Sequence, residues 1–189
     1  MDQKQNYKDF SKEIEKMHKE LEKTKLELEK WKYYAQRDDM TEILNRREGI
    51  ILLSQEIELT KETKKPLTIC FVDIDELKKV NDTFGHIEGD NLIIDAVNII
   101  KDNIRKYDIA FRFAGDEFII IFPNTNMKSA EEVWNRIRGK IDSFNKTAKK
   151  YKIGLSYGIV EYPLNKNLSV NDYIKLADKK MYQFKNLKH

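Results

Sequence analysis

Apolar positions along the first 37 residues fall at Phe10, Ile14, Met17, Leu21, Leu28, Trp31 and Ala35, with Thr24 filling the step after Leu21. The spacing alternates four and three, a heptad seam over about four repeats. Both flanks are dense in Lys and Glu, and residues 1–37 contain neither Gly nor Pro. A narrow seam between charged flanks predicts a parallel dimeric coiled coil over residues 1–37, rather than a helix lying on its own domain. Polar Thr24 should cost that seam some stability.

From Asp38 the pattern changes. Asp38, Asp39 and Thr41 are cap candidates, and a helical pattern runs from about Thr41 to Glu62, where Lys64-Lys65-Pro66 breaks it. Leu67 to Asp75 is apolar and β-branched, which predicts a buried strand ending in two acids. A short helix from Glu76 to about Asn81, a turn over 82–86 and a helix over 88–105 follow. Ile109–Phe113 and Glu117–Phe122 predict two strands joined by a tight turn with acids at its tip. A helix over about 129–149, a strand over 153–161 and a last helix over about 169–187 complete the chain. Helices and strands mix, so the class is α/β (α+β), a helix-covered sheet with parallel and antiparallel pairs. Two parts are expected, a helix over 1–37 and a globular domain over 38–189.

Composition narrows the field. The chain has 189 residues, 35 Lys plus Arg against 32 Asp plus Glu, and a net charge of only +3. That balance argues against a nucleic-acid binder held by bulk charge. The single cysteine, Cys70, rules out a disulfide scaffold and a Cys-based zinc site. No apolar run approaches the ~20 residues of a membrane span, and the first residues show no apolar core of a signal peptide. The expectation is a cytoplasmic location without membrane contact.

Two acidic clusters carry candidate chemistry. Asp73 and Asp75 flank Ile74 at a strand end, on one face by alternation. Asp116 and Glu117 sit at the hairpin tip. Carboxylates brought together from two segments suit a hard divalent cation, and repel each other without one. Mg²⁺ shares its shell with water and substrate phosphates, so two or three protein oxygens suffice. An isolated Asp-x-Asp is more often a turn or cap. An EF-hand is excluded by Leu77 and Lys78, where it would need an acid or Asn and then Gly. No Gly-x-x-x-x-Gly-Lys-Ser/Thr loop and no Gly-x-Ser-x-Gly elbow occur.

The combination is more specific than its parts. Asp73-Ile-Asp-Glu-Leu-Lys78-Lys-Val-Asn81-Asp82, Gly85-His86-x-x-Gly89-Asp90 and Arg112-Phe-Ala-Gly115-Asp116-Glu117-Phe118 resemble the GGDEF domain of diguanylate cyclases. Asp38-Asp-Met-Thr41-Glu-Ile-Leu44-Asn45 looks like the family's lead-in signature, Ser156-Tyr-Gly158 its late strand, and Ala177-Asp178 with Tyr182 and Lys185 its last helix. The resemblance covers about residues 38–185. It implies a central five-stranded mixed sheet surrounded by helices, related to nucleotidyl cyclases and polymerase palms. It implies that two GTP molecules, one per subunit of a homodimer, condense into cyclic di-GMP and release pyrophosphate. By motif position, Asp73, the Ile74 carbonyl and Asp116 would hold Mg²⁺, or Mn²⁺. Glu117 would activate the 3′-hydroxyl or add a metal contact. Asn81 and Asp90 would read guanine, and Lys78 and Lys185 would contact phosphates. Backbone N–H groups at the start of the helix after Asp75 would cradle the β- and γ-phosphates. Arg105 and Asp108 resemble the family's product-inhibition site, with Arg136 or Arg138 as a further arm.

Three departures stand out. Ala114 replaces the first Gly of the signature, costly if that position needs φ > 0. Leu77 stands for the usual Phe. After Lys185 the family commonly continues to Gly-Arg-Asn, whereas this chain reads Asn186-Leu-Lys188-His189, so a phosphate-binding Arg is missing and Lys188 or His189 would substitute only partly. A GTP- or cyclic di-GMP-binding module without turnover is therefore the alternative to an active enzyme. An enzyme making a hybrid purine dinucleotide is disfavoured by Asp90. His86 reads as a turn residue, His18 as coil surface and Trp134 as packing.

Overall fold

A computed structural model describes residues 3–188, with side chains from 10 to 187. It divides into two compact units, Met1–Arg37 and Asp38–His189.

The first unit is one helix, α1 (Gln3–Ala35). Its seam residues Phe10, Ile14, Met17, Leu21, Leu28 and Trp31 are each at least half exposed, between 51% and 72%. Thr24 Oγ1 donates back to Glu20 O at 2.9 Å, so the polar step is satisfied inside the helix.

The second unit runs α2 (Arg46–Thr63), β1 (Thr68–Ile74), α3 (Leu77–Phe84), α4 (His86–Asn103), β2 (Ile109–Ala114), β3 (Glu117–Phe122), α5 (Met127–Thr147), β4 (Leu155–Glu161) and α6 (Val170–Lys188). The strands lie in the order β2-β3-β1-β4, and every ladder is antiparallel. The expected five-stranded mixed sheet is therefore a four-stranded antiparallel one among the described residues. Parallel pairing is confined to the isolated bridge between Leu44 and Phe111. The lead-in segment extends no further along the β2 edge because side chains hold it in turns. Asp38 Oδ1 accepts from Thr41 N and Oγ1, and Asn45 Oδ1 accepts from Glu48 N. The same contacts move the start of α2 to Arg46, five residues past the expected Thr41, with Asn45 as its cap.

β1 is buried on both faces. Cys70, Val72 and Ile74 join one core with α4 and α5, while Leu67, Ile69 and Phe71 join another with α2 and α6. That sandwiching explains why the segment reads as a continuous apolar run rather than an alternating one. α3 continues past Asn81 to Phe84, and Gly85, at φ 88°, separates it from α4.

Candidate active site

The site is built where β1 runs out of sheet. Asp73 lies opposite Glu117 of β3 on one side and Ser156 of β4 on the other. Ile74 N–H donates to Asp116 O at 3.0 Å, which ties the hairpin tip to the strand end. A strand residue points its N–H and C=O the same way, so the Ile74 carbonyl also faces the tip. Register thus brings together acids more than 40 positions apart in the chain. Asp75, just past the strand, is held by β4 and the residue before it: Ser156 Oγ donates to Asp75 Oδ1 at 2.6 Å, and Asp75 N–H to Gly154 O at 2.9 Å. Cys70 is buried mid-strand, where burial pushes its thiol well above the ordinary value, so it is no nucleophile.

α6 supplies the counter-charge. Lys185 Nζ donates to Asp73 Oδ1 at 2.6 Å. The approach depends on Gly158, where a Cβ would stand 2.1 Å from Ala177 O and 2.4 Å from Met181 N of α6. With no side chain there, α6 presses onto β4, and Lys185 lies one turn beyond Met181.

Asp73 is only 7% exposed. Burial, and then the charges of Asp116 and Asp75, hold its carboxyl above the usual range, and Lys185 only partly offsets them. Burial, followed by the charges of Asp73, Asp116 and Asp178, raises Glu117 as well. Burial works to lower Lys185, but its bond to Asp73 and the charges of Asp73, Asp75 and Asp116 outweigh it and keep the ammonium charged.

This donor set fits a divalent cation that also binds substrate. Among the described residues no three Asp, Glu, His or Cys side chains form a self-sufficient cage. Asp73, Asp116 and the Ile74 carbonyl offer two carboxylates and one neutral oxygen, which leaves room for phosphate oxygens and water. Repulsion among the acids is what such a cation would relieve.

Beside the acids lies a groove of about 450 Å³ lined by Lys78, Asn81, Arg112, Gly115 and Asp116, among others. Asn81 packs where a Cβ on Gly89 would sit, 1.9 Å from Asn81 Oδ1, so Gly89 makes the room for it. Asp90 follows on the exposed face of α4, outside that lining. α3 opens with Glu76 at φ 56° and no side-chain cap, which leaves its first N–H groups without a side-chain acceptor at Glu76. Ala114 and Gly115 both have negative φ, so the Ala in the signature carries no conformational cost. The Lys188 and His189 side chains lie outside the described residues.

Arg105 and Asp108 close the turn between α4 and β2: Arg105 N–H donates to Asp108 Oδ2 at 2.7 Å, and Asp108 N–H to Arg105 O at 3.0 Å. Arg136 of α5 joins them, donating to Asn103 O at the end of α4 at 2.5 Å. Burial raises the Asp108 carboxyl despite this turn and the charges of Arg105 and Arg136.

The sequence marks Asp38 only as a cap candidate and gives Arg112 no role, although both stand in the quoted motifs. Arg112 Nε and Nη2 donate to Gly115 O at 2.9 and 2.7 Å, and Nη1 donates to both Asp38 oxygens at 3.0 and 3.1 Å. One guanidinium thus locks the acidic tip to the lead-in turn. Burial opposes ionisation of Asp38, but Thr41 and Arg112 outweigh it and hold its carboxyl below the usual range.

Residues 35–189 match the family described as "Diguanylate cyclase, GGDEF domain". The chain belongs to this family. It is 32% identical over 146 residues to diguanylate cyclase DosC of Escherichia coli (strain K12), covering 77% of this chain and 32% of that protein. It is 33% identical over 153 residues to diguanylate cyclase A of Treponema denticola, covering 78% of this chain and 41% of that one. The GGDEF chain thus spans 32% to 41% of the length of these curated relatives. Its fold resembles the crystallised coiled coil and GGDEF domain of DgcB from Caulobacter crescentus, solved in complex with c-di-GMP, at a TM-score of 0.84, 24% identity and 94% coverage of each chain. Among the described residues no helix of this GGDEF chain is long and apolar enough to cross a membrane.

Proposed function

We propose that this GGDEF chain is a diguanylate cyclase that condenses two GTP molecules into cyclic di-GMP. The observation that carries the reading is Asp73 at the end of β1 in register with Glu117, beside Asp116 of the hairpin tip. In each half-reaction a 3′-oxygen attacks the α-phosphorus of the other nucleotide. One P–O bond forms, the bond to pyrophosphate breaks, and the hydroxyl proton leaves with solvent or a carboxylate. Two such steps release two pyrophosphates.

Asp73, Asp116 and the Ile74 carbonyl would hold Mg²⁺ or Mn²⁺, which when bound lowers the pKa of the attacking hydroxyl and neutralises charge on the leaving group. Glu117, raised above the usual carboxylate range, is suited to receive that proton. Lys78 and Lys185 bring positive charge to phosphates, and the uncapped start of α3 offers backbone N–H groups to them. Asn81 and Asp90 read the guanine edge. Asp90 only accepts, and adenine offers no donor pair there, so adenine would leave its charge unpaired.

One subunit holds one nucleotide, so two must face each other. The exposed heptad seam of α1 supports a coiled-coil homodimer as the means. Arg105, Asp108 and Arg136 form the proposed inhibitory product site, where guanidinium groups fork to phosphate and stack on guanine. Negative φ at Ala114 favours an active enzyme over a silent binding module.

Incubation with GTP, ATP and Mg²⁺, followed by chromatography, tests the proposal. Cyclic di-GMP is expected. Nucleotide binding without product would make the chain a binding module, and a mixed purine dinucleotide would overturn the guanine assignment. Asp116→Ala should abolish turnover and leave the fold intact; an active variant contradicts the metal role.

A further inference from the structure

The groove beside the acids is built from two places. Arg112 and Asp116 line it from the β2–β3 hairpin, and Asn81 and His86 from the α3–α4 junction around Gly85. Leu77 and Ile93 add apolar surface. Its volume of about 450 Å³ lies within the range of ligand sites, about 300–1,000 Å³, which pair apolar walls with a few placed polar groups. A nucleotide whose phosphates meet the hairpin acids through a metal ion would place its base at the α3–α4 junction.

The sequence reads His86 as a turn residue; it is instead the first residue of α4, and its side chain lines the groove. The other cations of the lining have work elsewhere. Arg112 gives its guanidinium to Asp38 and Gly115 O. Lys78 stands in the first turn of α3, beside the N–H groups assigned to phosphates. Asn81 is packed against α4, with its Oδ1 at the place where a Cβ on Gly89 would sit. His86 is exposed, and its imidazole has no partner among the described residues. His86, Asp90 and Ile93 follow at i, i+4 and i+7, one stripe of α4. From Asp90, assigned to the N1 and N2 hydrogens of guanine, the helix steps back about 6 Å to His86. The atom next to N1 on that edge of guanine is O6, an acceptor. An imidazole has an N–H to offer it whether neutral or charged. Adenine carries an amino group at that place, which cannot accept.

We propose that His86 is a specificity-determining residue of this groove, whose ring N–H donates to guanine O6 while Asp90 accepts from N1 and N2. The assignment rests on the nucleotide reading of the groove, but not on turnover.

The test compares GMP with 2-aminopurine riboside 5′-monophosphate, which lacks O6 and the N1 hydrogen but keeps N7 and the 2-amino group. Neither nucleotide can turn over. Both are titrated calorimetrically into the full chain carrying Arg105→Ala, which takes the proposed product site out of the readout. His86→Ala should weaken GMP roughly 3- to 10-fold, the worth of one net hydrogen bond. It should weaken the 2-aminopurine nucleotide less than twofold. His86→Phe keeps a flat ring without an N–H and should lose as much GMP affinity, which repeats the test if the smaller variant does not fold. Equal weakening of both nucleotides, or GMP binding retained by His86→Phe, overturns donation to O6. GMP binding that is indifferent to His86 removes this assignment alone, whereas GMP that does not bind at all removes the nucleotide reading of the groove with it.

Discussion

Lys185 Nζ and Asp73 Oδ1 are 2.6 Å apart, an ammonium placed on the carboxylate that would hold a metal ion. The lysine therefore serves as an internal cation and competes with an external one. Lys185→Met is expected to lower GTP turnover by roughly 10²-fold through loss of a fixed positive charge. It should also tighten binding of Mg²⁺ alone, because the rival charge is gone. Steady-state kinetics and an Mg²⁺ titration of Tm measure the two effects. Full activity, or unchanged Mg²⁺ binding, would count against this arrangement.

Burial of the acidic cluster, and then repulsion within it, makes stability depend on pH. Asp73 and Glu117 both hold protons to higher pH in the folded chain than their ordinary values of 3.8 and 4.5 allow. Their favourable contribution is complete below those unfolded values and is lost as pH rises through the raised folded ones. At neutral pH the ionised cluster opposes folding. Glu117→Gln, which cannot ionise, is expected to raise the metal-free Tm at pH 7 by about 2 °C, a small gain because the half-exposed group is screened by water. The difference should vanish near pH 4 and shrink with Mg²⁺ at pH 7. A Tm difference that is constant with pH would contradict a Glu117 carboxyl raised by burial and by its neighbours.

Arg112 joins Asp38 to Gly115 O with side-chain exposures of 16% for Arg112 and 21% for Asp38. Arg112→Ala should cost about 2 kcal/mol, since hydrogen bonds to charged groups are lost and Asp38 keeps an unpaired charge. That corresponds to a Tm fall of roughly 4–8 °C. Arg112→Lys should recover less than half, because an ammonium cannot fork to both partners. Thermal melts of Arg112→Ala, Asp38→Ala and the pair should be non-additive; additive losses would mean that the two side chains act independently.

Deletion of residues 1–37 separates catalysis from pairing. The shortened chain should turn over GTP more slowly at low protein concentration and recover as concentration rises. Sedimentation run beside the assay should show a weaker dimer. A rate that is unchanged and independent of concentration would show that α1 does not bring the two sites together.

Much of this was legible in one dimension. Apart from the start of α2, the helices and strands of the second unit lie within a few residues of their expected bounds, because the apolar periods switch at Pro66 and the 114–116 turn and Gly85 breaks one helix from the next. The misplaced start of α2 had a local cause that the period does not reveal. Asp38 and Asn45 spend their side chains on nearby backbone, and so keep residues 38–45 out of the helix and limit their sheet pairing to the Leu44 bridge. The fifth strand is an expectation carried by family likeness, and beyond the isolated bridge from Leu44 to Phe111 no further segment pairs with the sheet among the described residues.

The amino-acid order by itself determined which segments bury apolar surface, the heptad seam and the acids at strand and hairpin ends, because these follow from local spacing and side-chain type. Tertiary structure decided which charges meet. The ladder register set Asp73 against Glu117, the missing Cβ of Gly158 let α6 bring Lys185 onto Asp73, and Arg112 bound the tip to Asp38. Charge pairing depends on through-space distance between residues far apart along the chain, and only packing fixes that distance.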